Sequence, residues 1–408
     1  MITTRLSLYL CVVTLLCLLG CTELSPHFFE GINEQPKQMI SRQILVTLPE
    51  NLKSDWAIIR DELEQQNDIL ISAEFPLASI GVDCIVYKVP EQESLEKAIQ
   101  QLRADNRVVL VQENQVFEGM QSSESKSFEA ISYAPKLIHA DAAQSIATGK
   151  GVRIAVVDTG AEKGHPDFKD QLLDTDNFVD GSDYAFSHDR HGTAVTGVIV
   201  AKANDGEGIY GIAPNAEVSV LKACWYPETS NAKAQCSSWS LAKALDAAIR
   251  KRARIINLSL AGPQDELLSK LLETAHKRGI SVVAATLEKQ QQPGFPANLS
   301  FSIPVISTGP DGKISQPAWL PHFPGTVVAP GVEILTTVPN DGYDFVSGSS
   351  LAAAHVSGII ALLLEVKPSL LPDQVKELLL RNGKEKSATP LLQTLDAWAI
   401  LQALDSGN

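Results

Sequence analysis

No Lys/Arg-rich block stands out in this sequence: 34 Lys and Arg are outnumbered by 48 Asp and Glu, and the formal net charge is −14. An anionic protein repels phosphate backbones, which argues against nucleic acid as a partner. Metal-ligand spacing is missing too, with no CxxC and no HExxH, so the common zinc-site patterns do not apply. There is no internal repeat and no long low-complexity tract. The apolar run Leu6 to Leu19 is too short to span a bilayer comfortably. What remains is a globular composition, 44% hydrophobic and 20% charged over 408 residues, long enough for two or more domains and a large core.

With Arg5 before it, the Leu6 to Leu19 run reads as the apolar segment of an export signal. It ends in Leu18-Leu19-Gly20-Cys21, which resembles the bacterial lipoprotein box. That resemblance implies a lipoprotein-type signal over 1–20, Cys21 as the lipidated first residue, and a cell-envelope protein held to a membrane by a lipid anchor. An ordinary cleaved secretory signal is the alternative. Cys11 and Cys17 leave with the signal, whereas Cys84, Cys224 and Cys236 remain. Export implies an oxidising compartment, in which Cys224 and Cys236 could close a loop disulfide, although spacing alone leaves the pairing open.

Residues 21–40 are polar and read as a tether. Over 41–119 the pattern is strand, helix, strand, strand, helix, strand: Arg42 to Pro49, Asp55 to Gln66, Ile69 to Phe75, Val82 to Val89, Ser94 to Leu102 and Arg107 to Phe117. This is the split βαβ, ferredoxin-like order of a small α+β domain, and other small α+β modules share it. Residues 120–135, rich in Ser and Glu, form an exposed linker. From 136 to 408 short apolar strands alternate with helical segments, which predicts an α/β domain with a parallel sheet and helices on both faces.

Three segments of that domain carry chemistry. Arg153 to Gly160 (RIAVVDTG) is an apolar strand ending in Asp158, where parallel α/β sheets collect functional residues. Alone it also suits half of an aspartic protease site, which needs a second such triplet. His191-Gly192-Thr193 opens a helical segment, where a single His is more often structural. Gly348-Ser349-Ser350-Leu351-Ala352 leads into a helix apolar nearly all round, which should be buried. A Ser there can be a plain N-cap, and its N–H at the positive helix end also suits a developing oxyanion.

Taken together, the order Asp, His, Ser with these local sequences resembles the subtilisin-like serine proteases (subtilases). The resemblance extends through His165-Pro166-Asp167, Gly211-Ile212-Ala213-Pro214, Asn257-Leu258-Ser259-Leu260, Phe295-Pro296-Ala297 and Ala329-Pro330-Gly331. It implies Ser350 as nucleophile, His191 as general base and Asp158 as the group that orients and stabilises the imidazole. It implies a protein or peptide substrate and no cofactor for the chemistry. Structural calcium is frequent in the family, and Asn204-Asp205-Gly206-Glu207-Gly208 offers oxygens for it, as would any turn. The 41–119 domain resembles the family's propeptide, an intramolecular inhibitor, with Asn114-Gln115-Val116-Phe117 as its closing segment.

Two departures stand out. The family places an oxyanion-binding Asn where this chain has Leu287, whose side chain cannot donate, unless Thr286 donates instead. In subtilisin itself, loss of that donor lowers turnover by about 10²–10³. The substrate-binding segments, Ser259-Leu260-Ala261-Gly262 and Ala285-Thr286, carry methyl groups at Ala261 and Thr286 where the family has glycine, which predicts a narrowed pocket. A chain so altered could instead be an impaired pseudoprotease that binds peptides or a partner protein. From the Cys21 box, membrane fractions are expected to hold the expressed protein and fatty-acid labelling to mark it. Cys21→Ser should abolish both; an unlabelled wild type removes the anchor.

Overall fold

Gln43–Pro49 (β1) is apolar at nearly every position because both of its faces are covered. Ile44, Val46 and Leu48 pack on Ile59 and Leu63 of helix Trp56–Asn67 and on Ala98 and Leu102 of helix Leu95–Ala104. Leu45 points the other way, into a cluster shared with the large domain. β2 (Leu70–Leu77), β3 (Val82–Lys88) and β4 (Leu110–Glu113) complete an antiparallel sheet in the order β2-β3-β1-β4, as the ferredoxin-like pattern requires. This computed structural model describes residues 42–119, 132–168, 171–179, 188–204, 207–227, 233–287, 292–314, 323–382 and 393–405. The signal, the tether, Cys21 and most of the 120–135 linker lie outside them.

One expectation needs correction. Arg107 to Phe117 is not a single closing strand: β4 stops at Glu113, and Val116–Gly119 (β5) belongs to another sheet. The backbone changes partners between them. Asn114 still donates its N–H to Gln43 O, but Gln115 donates to Ser238 Oγ, and Ser238 N–H returns to Gln115 O.

The large domain supplies β6 (Arg153–Asp158), β7 (Leu172–Asn177), the hairpin of β8 (Lys202–Asn204) and β9 (Glu207–Tyr210), β10 (Glu217–Lys222), β11 (Cys224–Trp225) and β12 (Gln235–Ser237). β13 (Ile255–Leu258), β14 (Leu260–Ala261), β15 (Ser281–Ala285), β16 (Ile303–Thr308) and β17 (Val327–Pro330) follow, then the hairpin of β18 (Ile334–Val338) and β19 (Gly342–Val346). Seven strands form one parallel sheet, β17-β16-β15-β13-β6-β10-β7. Helices Arg190–Val200 and Ser349–Val366 pack on one face, and Ser238–Arg250 and Glu266–Lys277 on the other. The Ser349–Val366 helix is buried from Ser349 to Leu364, which is why its sequence shows no polar stripe. β6 is the strand on either side of which the winding reverses, and in open α/β sheets the crevice beyond the strand ends at such a reversal binds ligands. Asp158 stands there.

β5 enters this crevice. It lies antiparallel between β12 and β14, with Cys236 opposite Phe117, and with Glu118 and Gly119 opposite Ala261 and Leu260. The small sheet meanwhile lays its second face on the Ser238–Arg250 and Glu266–Lys277 helices. Gln112 Oε1 accepts Leu267 N–H at 2.9 Å, and Asn114 Oδ1 accepts Trp239 N–H at 3.1 Å. Side chains of the small domain thus add to the caps that Ser237 and Asp265 give these two helix N-termini.

Asp83 on β3 is buried. Desolvation first, then the hydrogen bond and charge of Glu74, push its carboxyl up to about 7. An unfolded Asp releases its proton near pH 4, at about 3.9, so the folded small domain binds the extra proton between those values and loses stability as pH rises through that window. Hydrogen exchange of β1–β4 amides in the intact chain, corrected for intrinsic rate, should show protection falling from pH 5 to pH 7.5. In Asp83→Asn that decline should vanish.

Candidate active site

The side chains of Asp158, His191 and Ser350 come from three separate elements and meet at the end of β6. Asp158 Oδ1 lies 2.7 Å from His191 Nδ1 and also accepts the N–H of Thr159 at 2.7 Å. A carboxylate only accepts, so Nδ1 carries the proton and Nε2 presents its lone pair. Nε2 is 3.0 Å from Ser350 Oγ. That hydroxyl also lies 3.2 Å from Ser259 O, so its one proton has two acceptors. All three residues are buried.

Local sequence explains each position. β6 is held by β10 and β13 on either side, which fixes Asp158 at its tip. His191 is the second residue of its helix, and the next residue has no side chain: a Cβ on Gly192 would stand 1.9 Å from Gly160 O. Only glycine allows the helix start to come that close to the turn after Asp158. Gly192 N–H then donates to Thr159 Oγ1 at 3.1 Å. Ser350 is the second residue of its helix, not the N-cap, which is Gly348. Ser259 Oγ donates to Ser350 O, Asn257 Nδ2 donates to Ser259 Oγ, and Ser357 Oγ donates to Asn257 Oδ1. This buried chain ties the helix start to β13.

Lys222 escaped the sequence reading. Its ammonium is buried and donates to Asp189 Oδ2 at 2.6 Å, Thr159 O at 2.7 Å and Cys224 O at 3.1 Å. One cation therefore links the turn after Asp158, the residue two before His191 and the strand carrying Cys224. The available signal was a single Lys closing the apolar run Val218 to Ala223. Tyr226 was missed as well; its hydroxyl accepts His191 N–H at 3.2 Å, and burial pushes its pKa up.

Cys224 and Cys236 form a disulfide between facing residues of β11 and β12, so the pairing left open by spacing is made. Of the residues expected to bind substrate, Leu260 and Ala261 pair with β5. Gly262 lies under Phe117: a Cβ there would be 2.2 Å from the ring. Phe117 is fully buried, with Phe295 at 5.9 Å between ring centroids. Ala285 ends β15 and is buried. Thr286 donates its hydroxyl to Val305 O at 2.9 Å, and Ser349 Oγ donates to Thr286 O, so Thr286 is tied to β16 rather than acting as a stand-in donor. Leu287 spends its N–H on Pro293 O at 3.0 Å, so Leu287 itself has no donor left for an oxyanion.

A profile of the subtilase family matches residues 149–395. The chain is 35% identical over 231 residues to the major intracellular serine protease of Bacillus subtilis, covering 53% of this chain and 69% of that protein. It is 33% identical over 243 residues to thermitase of Thermoactinomyces vulgaris, covering 58% of this chain and 83% of thermitase. Fervidolysin from Fervidobacterium pennivorans, a keratinolytic enzyme related to subtilisin, shares the fold with a TM-score of 0.69 at 21% identity. That match covers 88% of this chain and 60% of fervidolysin, so the chain spans about three fifths of that structure.

Removing the Lys222 ammonium strands a buried carboxylate. Lys222→Met should lower unfolding free energy by about 3–5 kcal/mol, measured by denaturant titration. Lys222→Met/Asp189→Leu should recover part of that loss; a single variant as stable as the wild type would show that the pair holds nothing together.

Proposed function

The chain belongs to the subtilase family of serine endopeptidases, and from that premise we propose that it is an exported, self-inhibited precursor that cuts peptide bonds in proteins through Ser350, His191 and Asp158. The observation that carries this reading is the hydrogen-bonded line from Asp158 through His191 to Ser350 Oγ, at 2.7 and 3.0 Å. A serine hydroxyl needs a base within such reach. His191 Nε2 takes its proton as Oγ attacks the carbonyl, and returns it to the leaving amine. Asp158 keeps Nδ1 protonated and stabilises the imidazolium between those steps. The oxyanion then forms at the start of the Ser349–Val366 helix, where the Ser350 N–H and the helix dipole face it. With Leu287 in the place of a donor, this step is weakened by up to about 10²–10³, the cost known for subtilisin.

Self-inhibition draws support from β5, which takes the position of a bound peptide between β12 and β14, and from the caps made by Gln112 and Asn114. Maturation by the enzyme itself is expected between Met120 and Tyr133. Export draws support from the Cys224–Cys236 disulfide, a bond of oxidising compartments; the lipid anchor at Cys21 rests on sequence. The calcium candidate, Asn204 to Gly208, lies partly outside the described residues; among the described residues no three His, Cys, Asp or Glu side chains gather in one place. The chemistry needs no ion.

A fluorophosphonate probe reports an activated serine. The processed protein should label, Ser350→Ala should not, and the Ser350→Ala precursor should stay uncut, whereas Ser349→Ala should keep some labelling. Processed wild type that neither labels nor hydrolyses any peptide would hand the site to the peptide-binding, non-cleaving reading that Leu287 favours.

A further inference from the structure

β5 shows how an extended peptide runs through this crevice, and its register fixes what lies beneath each position. Glu118 faces Ala261 and Gly119 faces Leu260. One residue further along the same ladder, a peptide faces Ser259, whose carbonyl is 3.2 Å from Ser350 Oγ. That residue precedes the bond under attack. Beside it, between the Ser259–Gly262 segment and the segments holding Leu287 and Gly294, is the slot that its side chain would enter. These walls are joined: Gly262 and Phe295 exchange backbone hydrogen bonds at 2.9 and 3.2 Å, and Leu287 N–H donates to Pro293 O.

The slot is already filled. A Cβ built on Gly294 would stand 2.5 Å from Leu287 Cδ1 and 3.4 Å from Ala261 Cβ. The Leu287 side chain therefore lies flat on the Gly294 backbone, with the Ala261 methyl bounding the same space. It is also packed on the large hydrophobic core, so leaving the slot would expose apolar surface to water. We infer that Leu287, with Ala261, sets the primary specificity of this enzyme by closing that slot, so that it cleaves after Gly, Ala or Ser and rejects Leu, Met and Phe. This rests on the peptidase reading above and names its substrate class.

The test uses processed enzyme and a series of peptidyl phosphonate diphenyl esters that differ only in the residue carrying phosphorus: Gly, Ala, Leu, Met or Phe. Wild type should label with the Ala ester about 10²-fold faster than with the Phe ester, the scale on which apolar pockets discriminate by size. In Leu287→Ala that ratio should collapse to about 1 or invert, and Ala261→Gly, a milder change, should lower it in the same direction. A wild type that labels as fast with Phe as with Ala overturns the inference and leaves the peptidase reading intact. So does a Leu287→Ala ratio that stays unchanged. Wild type that labels with none of these esters, nor with a plain fluorophosphonate, overturns both.

Discussion

His191 reaches Asp158 because the first turn of its helix passes against the carbonyl of Gly160 with no side chain between them. Any Cβ at position 192 would push that helix away, and the 2.7 Å contact to Asp158 could not survive a displacement of that size. Around this contact the molecule gathers its buried polar groups. Thr159 ties the turn to Gly192 N–H, Tyr226 takes His191 N–H, and Lys222 draws the turn, Asp189 and the disulfide-bearing strand to one ammonium. Buried polar networks are stabilising only when satisfied, and here the main-chain carbonyls of Thr159 and Cys224 complete the shell around the cation. Lys222 therefore holds two sides of the crevice at a fixed separation as much as it balances a charge.

That fixed separation is what β5 exploits. A strand inserted between β12 and β14 finds a row of backbone groups on each side, and Phe117 adds a buried ring between Gly262 and Phe295. Burying such a ring contributes about 1.5–3 kcal/mol. Because β5 is joined to a sheet already seated on two helices, its insertion is intramolecular, with an effective concentration in the millimolar range or above. A free peptide must compete against that. The Cys224–Cys236 disulfide stiffens the β12 side directly opposite Phe117, so β5 meets an edge that cannot readily yield.

Much of this was legible in the sequence, for reasons that can be named. Asp158, His191 and Ser350 each sit where a periodic segment changes type, and glycines and small residues mark those changes. The small domain declared itself through strand and helix spacing, with Ile59 and Leu63 one turn apart and Ser94 before its helix. What escaped was long-range. Nothing near Lys222 in sequence identifies Asp189 as its partner, and a lone Lys in an apolar run reads equally as a strand end. The single strand expected from Arg107 to Phe117 split because alternation cannot reveal a change of sheet; the change is made by Ser238, more than a hundred residues away. Thr286 could be offered by position as a stand-in donor, yet its hydroxyl is committed to Val305 on the next strand.

On the reading proposed above, Leu287 alters two terms of catalysis together. Its side chain offers no hydrogen bond to a developing oxyanion, and its bulk fills the space under the residue being cut. The first change reduces stabilisation felt only in the transition state, which lowers kcat. The second removes binding felt in ground and transition states alike, and with it the anchor that a large side chain would give. An enzyme so altered must draw its substrate binding from positions further along the strand. There the structure offers the ladder to β12 and β14 and the site that holds Phe117, both remote from the reacting bond. Binding energy from such remote contacts accelerates the reaction only where it is used to align the scissile carbonyl with Ser350 Oγ. The rigid edge around β12, closed by the disulfide and tied through Lys222 to the turn at Asp158, is the element that can transmit that alignment.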